Sequence, residues 1–271
     1  MEYLSVEIFD LEEPQRYRLI QELEELGSLG LEEKENSFIV YFEGKEHEPG
    51  ILQVISDYTS AYEPAYLPGQ NWNTVWESNF DPVYVGAFCY IKADFHPEEK
   101  GFEHTVRITP KMAFGTGHHA TTFQVIGMMQ HLDWKGKNVL DFGTGTGVLA
   151  ILAERLGAAH VLAIDNDHWS VENALENVAK NSCRHTEVRL ATIEATDTTR
   201  YDIIIANINR HILLAYMEDM NLRLVEGGLI IMSGILTEDE AMIISRAKEC
   251  RLQLIDKTEK NNWLCLLMKK E

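Results

Sequence analysis

Apolar and polar positions follow two different patterns, which change over near residue 118. From there to the C-terminus, stretches with apolar residues three and four apart alternate with short apolar runs. The first pattern predicts helices over Phe123 to Leu132, Val148 to Leu156, Ser170 to Lys180, Ile212 to Leu224 and Glu238 to Glu249. In the third of these, Val171, Ala174, Leu175 and Val178 share one face. The short runs predict strands at Asn138 to Phe142, His160 to Asp165, Glu187 to Ala191, Asp202 to Asn207 and Leu229 to Ser233. Ile203-Ile204-Ile205 and Leu229-Ile230-Ile231-Met232 are continuous, as expected of parallel strands covered on both faces. Strands spaced by helices imply βαβ units. Two last strands, Leu252 to Thr258 and Trp263 to Met268, flank Lys260-Asn261-Asn262 and predict an antiparallel hairpin on one edge. The expected fold class is α/β, a doubly wound, mostly parallel sheet with an antiparallel C-terminal hairpin, over residues 81–271.

The first 60 residues read differently. Tyr3 to Phe9 alternates like a strand. Pro14 opens a helix with apolar Tyr17, Leu19, Ile20, Leu23 and Leu26, and Gly27 is a plausible stop. Phe38 to Phe42 predicts a strand and Ile51 to Tyr58 a helix. This order is that of a small α+β, ferredoxin-like domain over residues 1–60. Residues 61–80, rich in Tyr, Pro and Trp, read as a linker. Trp72 and Trp76 stand one helical turn apart, a spacing that packs a short helix onto a domain or anchors a hinge. Short strands are expected between 82 and 109.

Composition narrows the function. Of 271 residues, 45 % are apolar and 25 % charged, ordinary for a globular chain. The net charge is −19, with no window rich in Lys and Arg, so direct nucleic-acid binding is not expected. Residues 1–60 hold 15 Asp and Glu against 4 Lys and Arg, so they alone contribute more than half of that charge. A basic macromolecular partner is the natural complement, with affinity that weakens as salt rises. Such a charge also serves plain solubility. The four cysteines are scattered, as in a reducing cytoplasm. No signal peptide and no membrane span are expected, and the chain is expected to be a cytoplasmic monomer.

The sharpest motif is Val139-Leu140-Asp141-Phe142-Gly143-Thr144-Gly145-Thr146-Gly147, between a strand and a helix. Glycines there allow a tight turn and close backbone approach to a ligand, and the helix start presents free amides. A dinucleotide GxGxxG fingerprint needs Gly at 148, where the chain has Val148. GxGxG with the preceding acid Asp141 is the spacing of class I S-adenosylmethionine-dependent methyltransferases. Asp165 ends the next strand, where a carboxylate accepts both ribose hydroxyls of a nucleoside. A helix N-cap is its alternative role. Asn207 ends a later strand, at the carboxyl edge where the transferred methyl is expected. The Asn207–Ile208 carbonyls are placed to orient an acceptor amine, and no dedicated base is evident. A second loop, Lys111 to Thr122, holds Phe114, Gly115 and Thr116. There Phe114 can cover an adenine or methionyl group, and Thr122 can bond a ligand carboxylate. His118 and His119 are adjacent and point apart on a helix start, so no metal is expected.

Taken together, AFGTGHHATT (113–122), VLDFGTGTGVLAI (139–151), IIANI (204–208), GGLIIMSGIL (227–236) and NWNTVWESNFDPVYVG (71–86) resemble the ribosomal protein L11 methyltransferase, or PrmA, family. The resemblance spans most of the chain and is weakest over the first 60 residues. It implies an N-terminal substrate-recognition domain, a linker and a class I methyltransferase domain. It further implies methyl transfer from S-adenosylmethionine to lysine ε-amines and the N-terminal α-amine of that basic ribosomal protein. Cofactor contacts then fall on Thr122, Gly143, Asp165 and Asn207. Three positions depart from the family pattern: Ala120 for Pro, Lys111 for Gly, and Asn209 for Leu. Other readings are a methyltransferase of another protein or small molecule, a non-catalytic cofactor-binding module, or, more weakly, an NAD oxidoreductase. Asn207-Ile208-Asn209-Arg210 lacks the Asn-Pro-Pro-Tyr run typical of glutamine-modifying relatives.

Overall fold

The computed structural model describes residues 3–11, 13–34, 37–44, 48–67, 80–110, 115–196 and 199–271. The chain divides into two compact units, Met1–Phe80 and Asp81–Glu271.

The first unit runs β1 (Tyr3–Phe9), α1 (Glu13–Glu25), β2 (Gly30–Glu33), β3 (Ser37–Glu43), α2 (Glu48–Ser56) and β4 (Tyr62–Leu67). All its pairings are antiparallel, in the order β2-β3-β1-β4. Strand alternation turns Leu4, Val6 and Ile8 of β1 and Phe38, Val40 and Phe42 of β3 to one face. Leu19 and Leu23 of α1 and Ile51 and Ile55 of α2 cover them. This is the ferredoxin-like arrangement. Leu26, read above as part of the apolar helix face, is 41 % exposed beyond the end of α1. Residues 62–67, read as linker, are a strand: Tyr62 to Leu67 pair with Ile8 to Tyr3 of β1. Pro64 is tolerated because β4 is an edge strand, where a missing N–H breaks no second ladder. Trp72 and Trp76 lie outside the described residues.

The second unit opens with β5 (Val83–Val85), β6 (Cys89–Lys92) and β7 (His104–Arg107), a sheet in that order. The main sheet follows: α3 (Ala120–Met129), β8 (Asn138–Phe142), α4 (Val148–Arg155), β9 (His160–Asp165), α5 (His168–Lys180), β10 (Thr186–Leu190), β11 (Tyr201–Asn207), α6 (Arg210–Arg223), β12 (Leu224–Leu236), α7 (Glu240–Glu249), β13 (Leu252–Lys260) and β14 (Trp263–Lys270). Its strand order is β10-β9-β8-β11-β12-β14-β13. The first five strands are parallel, and β14 and β13 run antiparallel. This is the doubly wound sheet with a C-terminal hairpin that the sequence predicts. Leu140, Leu162, Ile204 and Ile230 face a core closed by Leu213, Met217 and Met220 of α6 and Ile243 and Ala247 of α7. Helix α3 packs on β11, β12, β13 and β14, and α4 and α5 on β9 and β10. No helix among the described residues is long and apolar enough to cross a membrane.

Strand order reverses between β8 and β11, so chain connections leave to opposite sides there and open a crevice at the carboxyl ends. Register brings those ends level: Phe142 lies beside Ile164 of β9 and Ala206 of β11. The next residues, Gly143, Asp165 and Asn207, therefore converge.

Candidate active site

A cavity of about 580 Å³ opens at this edge. Gly143, Gly145, Asp165, Asn207 and Ile208 line it, as the sequence analysis expects. At Gly143 φ is +78°, and a Cβ would run into Cγ2 of Ile208, so the turn accepts only glycine. The other side of Ile208 meets Gly234 of β12, where φ is +85° and a Cβ would overlap the Ile208 carbonyl. Ile208 is thus held between two glycines, one just past the end of β8 and one in β12. Its N–H also donates to the Ser233 carbonyl at 3.2 Å.

Asp165 sits across from the glycine loop. Its Oδ2 accepts the Gly145 N–H at 2.9 Å, and its Oδ1 accepts the Asp167 N–H at 3.0 Å. The helix-cap alternative is taken by Asp167, whose carboxylate accepts the Ser170 N–H at 2.7 Å at the start of α5. Asp165 is therefore free of the capping role.

Asp141 lies beneath the loop, 1 % exposed, and does not line the cavity. Its Oδ2 accepts the Thr144 hydroxyl at 2.6 Å, and its Oδ1 has no partner. Burial pushes its carboxyl up to about 7. The Thr144 hydroxyl opposes that rise, and the nearby Asp165 charge adds to it. Its place is support for the loop, not contact with a ligand.

Asn207 is the polar group on the far side. Its Nδ2 donates to Thr122 Oγ1 at 3.1 Å, and its Oδ1 is buried without a partner. Thr122 is fully buried and lies behind Asn207, off the cavity wall. From α3 the wall receives Thr121 and His119 instead. His119 caps α3 by accepting the Thr121 N–H at Nδ1, and burial lowers its basicity. Gly115 and Thr116 also stand off the wall: the Gly115 carbonyl accepts the Thr146 hydroxyl, and Thr116 Oγ1 meets His118 Nδ1 at 3.0 Å. Phe114 and Lys111 lie outside the described residues. Asn209 caps α6, its Oδ1 accepting the Ile212 N–H at 3.0 Å, which accounts for a polar residue there.

The sequence analysis did not select Trp263 or Tyr216. Trp263 opens β14 and lines the cavity with its ring edge-on to His119, centroids 4.8 Å apart. It is brought there because the hairpin folds back along β12, with Leu236 opposite Trp263. Tyr216 of α6 packs at right angles to Phe142, and a hydrogen bond to Glu194 raises its pKa. Among the described residues lining the cavity there is no Lys or Arg. Among the described residues no group of three His, Cys, Asp or Glu is placed to hold a metal.

This arrangement suits a nucleoside with an amine acceptor beside it. A glycine turn lets a ligand approach the main chain closely, a carboxylate faces that turn, and an unpaired amide oxygen belongs to the residue that ends the adjacent strand. The sequence comparison decides the family: the model described as ribosomal protein L11 methyltransferase (PrmA) matches residues 5–271. The chain belongs to the PrmA family. A ribosomal protein L11 methyltransferase of Porphyromonas gingivalis is 38 % identical over 262 residues, covering 92 % of this chain and 88 % of the relative. One from Phocaeicola vulgatus is 42 % identical over 196 residues, covering 72 % and 70 %. The crystal structure of ribosomal protein L11 methylase from Lactobacillus delbrueckii subsp. bulgaricus aligns with TM-score 0.64 and 31 % identity, over 71 % of this chain and all of that one. A methyltransferase from Pyrococcus furiosus shares the fold alone, with TM-score 0.51 and 19 % identity over 60 % of this chain and 88 % of that one. PrmA membership thus extends over the whole glycine loop, Asp165, Asn207 and the C-terminal hairpin.

Proposed function

We propose that this PrmA-family chain transfers methyl groups from S-adenosylmethionine to lysine ε-amines and the N-terminal α-amine of ribosomal protein L11. The observation that carries the reading is Asn207: a cavity-lining amide anchored by Thr122 on one side, with a buried Oδ1 that has no partner. A buried acceptor without a partner is costly, and a ligand N–H relieves it. An acceptor amine supplies that N–H.

The residues present fit the cofactor. The carboxylate of Asp165 would take the ribose hydroxyls, and the turn at Gly143 and Gly145 would face the rest of the nucleoside. When bound, S-adenosylmethionine supplies a methyl group on a good leaving group. The chain's own task is then to position the amine and exclude water. Ile208 and Ile212 and the Trp263 ring form an apolar wall. Loss of water disfavours the ammonium form of a lysine, whose reference pKa is about 10.4, and favours the neutral nucleophile. Asn207 Oδ1 orients that amine by accepting its N–H. It does not need to remove a proton.

We assign the acidic first unit to recognition of the basic substrate, with charge steering the encounter. We place the reaction in the cytoplasm, on a protein and not a nucleic-acid substrate, by a monomeric enzyme. The test is Asn207→Ala assayed with unmethylated L11. The variant is expected to lose most turnover, by about 10²-fold or more, as for loss of a transition-state hydrogen-bond partner, with a smaller loss of cofactor affinity. Normal turnover in Asn207→Ala overturns the reading.

A further inference from the structure

The cavity draws its walls from both halves of the main sheet. Gly143, Asp165 and Thr192 stand at or just past the ends of β8, β9 and β10, while Asn207, Gly234 and Trp263 belong to β11, β12 and β14. With a nucleoside at Asp165, the second half is left to the acceptor. Trp263 bounds that half, so its placement bears on the amine.

Several bonds fix that placement. A two-residue turn, Asn261 and Asn262 at φ of +52° and +63°, sets Trp263 directly after the hairpin bend, opposite Lys260. The Ser233 hydroxyl donates to the Leu264 carbonyl at 2.7 Å and pins the next peptide. The Trp263 carbonyl accepts Nε2 of Gln124 at 3.1 Å. Gln124 lies in α3 and is buried, and its Oε1 accepts the Thr258 hydroxyl of β13 at 3.1 Å. One amide thus ties both strands of the hairpin to α3, with its donor and acceptor ends each engaged. Its neighbour Phe123 adds a second tie, with Lys260 Nζ 3.3 Å from the ring centroid. Two residues before Gln124, Thr122 holds Asn207. Helix α3 therefore sets two sides of the acceptor half, Asn207 through Thr122 and Trp263 through Gln124.

We propose that Gln124 is a positioning residue that acts through Trp263, holding its ring as the water-excluding wall beside the acceptor amine. Gln124 does not line the cavity, so its effect on the reaction passes through Trp263. Its bond to the main chain is buried, where a broken one leaves a costly orphan. The inference rests on the acceptor reading above.

The experiment compares wild type, Gln124→Met, Thr258→Val, Trp263→Ala and the double variant Gln124→Met/Trp263→Ala. Each is assayed by steady-state methylation of L11 and by calorimetric titration of S-adenosylmethionine. Met keeps the length of the side chain and removes both bonds. In Gln124→Met the kcat/KM for L11 is expected to fall about tenfold, as for one lost buried hydrogen bond, with a much smaller change in cofactor Kd. Thr258→Val loosens only the far end of the amide, so the fall is smaller and in the same direction. In the Trp263→Ala background, Gln124→Met is expected to add less than about twofold, since the ring it places is gone. A purely structural role would carry the full loss into that background. An additive double variant, or a cofactor Kd that rises as much as kcat/KM for L11 falls, overturns the inference. If Gln124→Met does not fold, Thr258→Val at its exposed site decides: reduced kcat/KM for L11 supports the inference and unchanged kinetics overturn it. Wild type that binds the cofactor and methylates no L11 overturns the acceptor reading itself.

Discussion

Asn207 and Thr122, 85 positions apart, share a 3.1 Å hydrogen bond in which the amide of Asn207 donates and the hydroxyl of Thr122 accepts. The bond spends a donor of the amide on the protein and leaves Oδ1 buried without a partner. Thr122→Val keeps the shape and removes the acceptor. It leaves a buried N–H unpaired, a cost of roughly 1–3 kcal/mol. Asn207 can then turn to seek another partner. Turnover with L11 is expected to fall about tenfold or more, with a smaller change in cofactor affinity. Steady-state kinetics with each substrate varied checks this. An unchanged kcat contradicts it.

The two glycines around Ile208 make different predictions. Gly143→Ala drives a Cβ into the Ile208 side chain, and Gly234→Ala drives one into the Ile208 carbonyl. Each costs roughly 1–3 kcal/mol through crowding, with left-handed strain added. Adding Ile208→Ala removes the side-chain clash only. Gly143→Ala/Ile208→Ala should therefore regain part of the lost stability, and Gly234→Ala/Ile208→Ala should not. Thermal unfolding of the four variants decides. Equal rescue of both contradicts the packing described.

Asp165 and Asp167 separate binding from capping. Asp165→Ala should weaken S-adenosylmethionine by about 10²-fold, since it removes a charged acceptor from the loop. Asp167→Ala should cost about 1 kcal/mol of stability, as for a lost N-cap, and leave cofactor affinity nearly intact. Calorimetric titration and denaturation of both variants check the pair. The reverse assignment of effects contradicts it.

These distinctions show how much of the site was legible in the sequence. Gly143, Gly145, Asp165 and Asn207 were, because each closes or follows a strand whose apolar run marks its end. So was the hairpin, from its two apolar runs around Lys260-Asn261-Asn262. Thr122 was read as a ligand contact, and the structure buries it against Asn207 while Thr121 lines the cavity, because helix orientation decides which of the two faces it. Trp263 was invisible as a site residue, since its place depends on antiparallel register with β12. Strand β4 was hidden by Pro64, which reads as a breaker unless the strand is known to be an edge.

Asp141 predicts a pH dependence. Its folded carboxyl ionises at about 7, against an ordinary value of 3.8. Between those values the native chain holds a proton that the unfolded chain has lost. The stability this group gives is whole below about 4 and is lost as pH rises toward 7. Asp141→Asn removes that loss while keeping an oxygen for the Thr144 hydroxyl. The Tm of Asp141→Asn relative to wild type should therefore climb between pH 4 and 7 and level off above. A difference constant across that range contradicts the burial account.

The central claim is methyl transfer at this cavity to amines of L11. The most direct measurement adds labelled S-adenosylmethionine and the purified chain to unmethylated L11, then maps the product by mass spectrometry. The account predicts methyl groups on lysine ε-amines and the N-terminal α-amine, absent when Asp165→Ala replaces the wild type. Cofactor binding without any transfer to L11 would contradict it and point to a different acceptor.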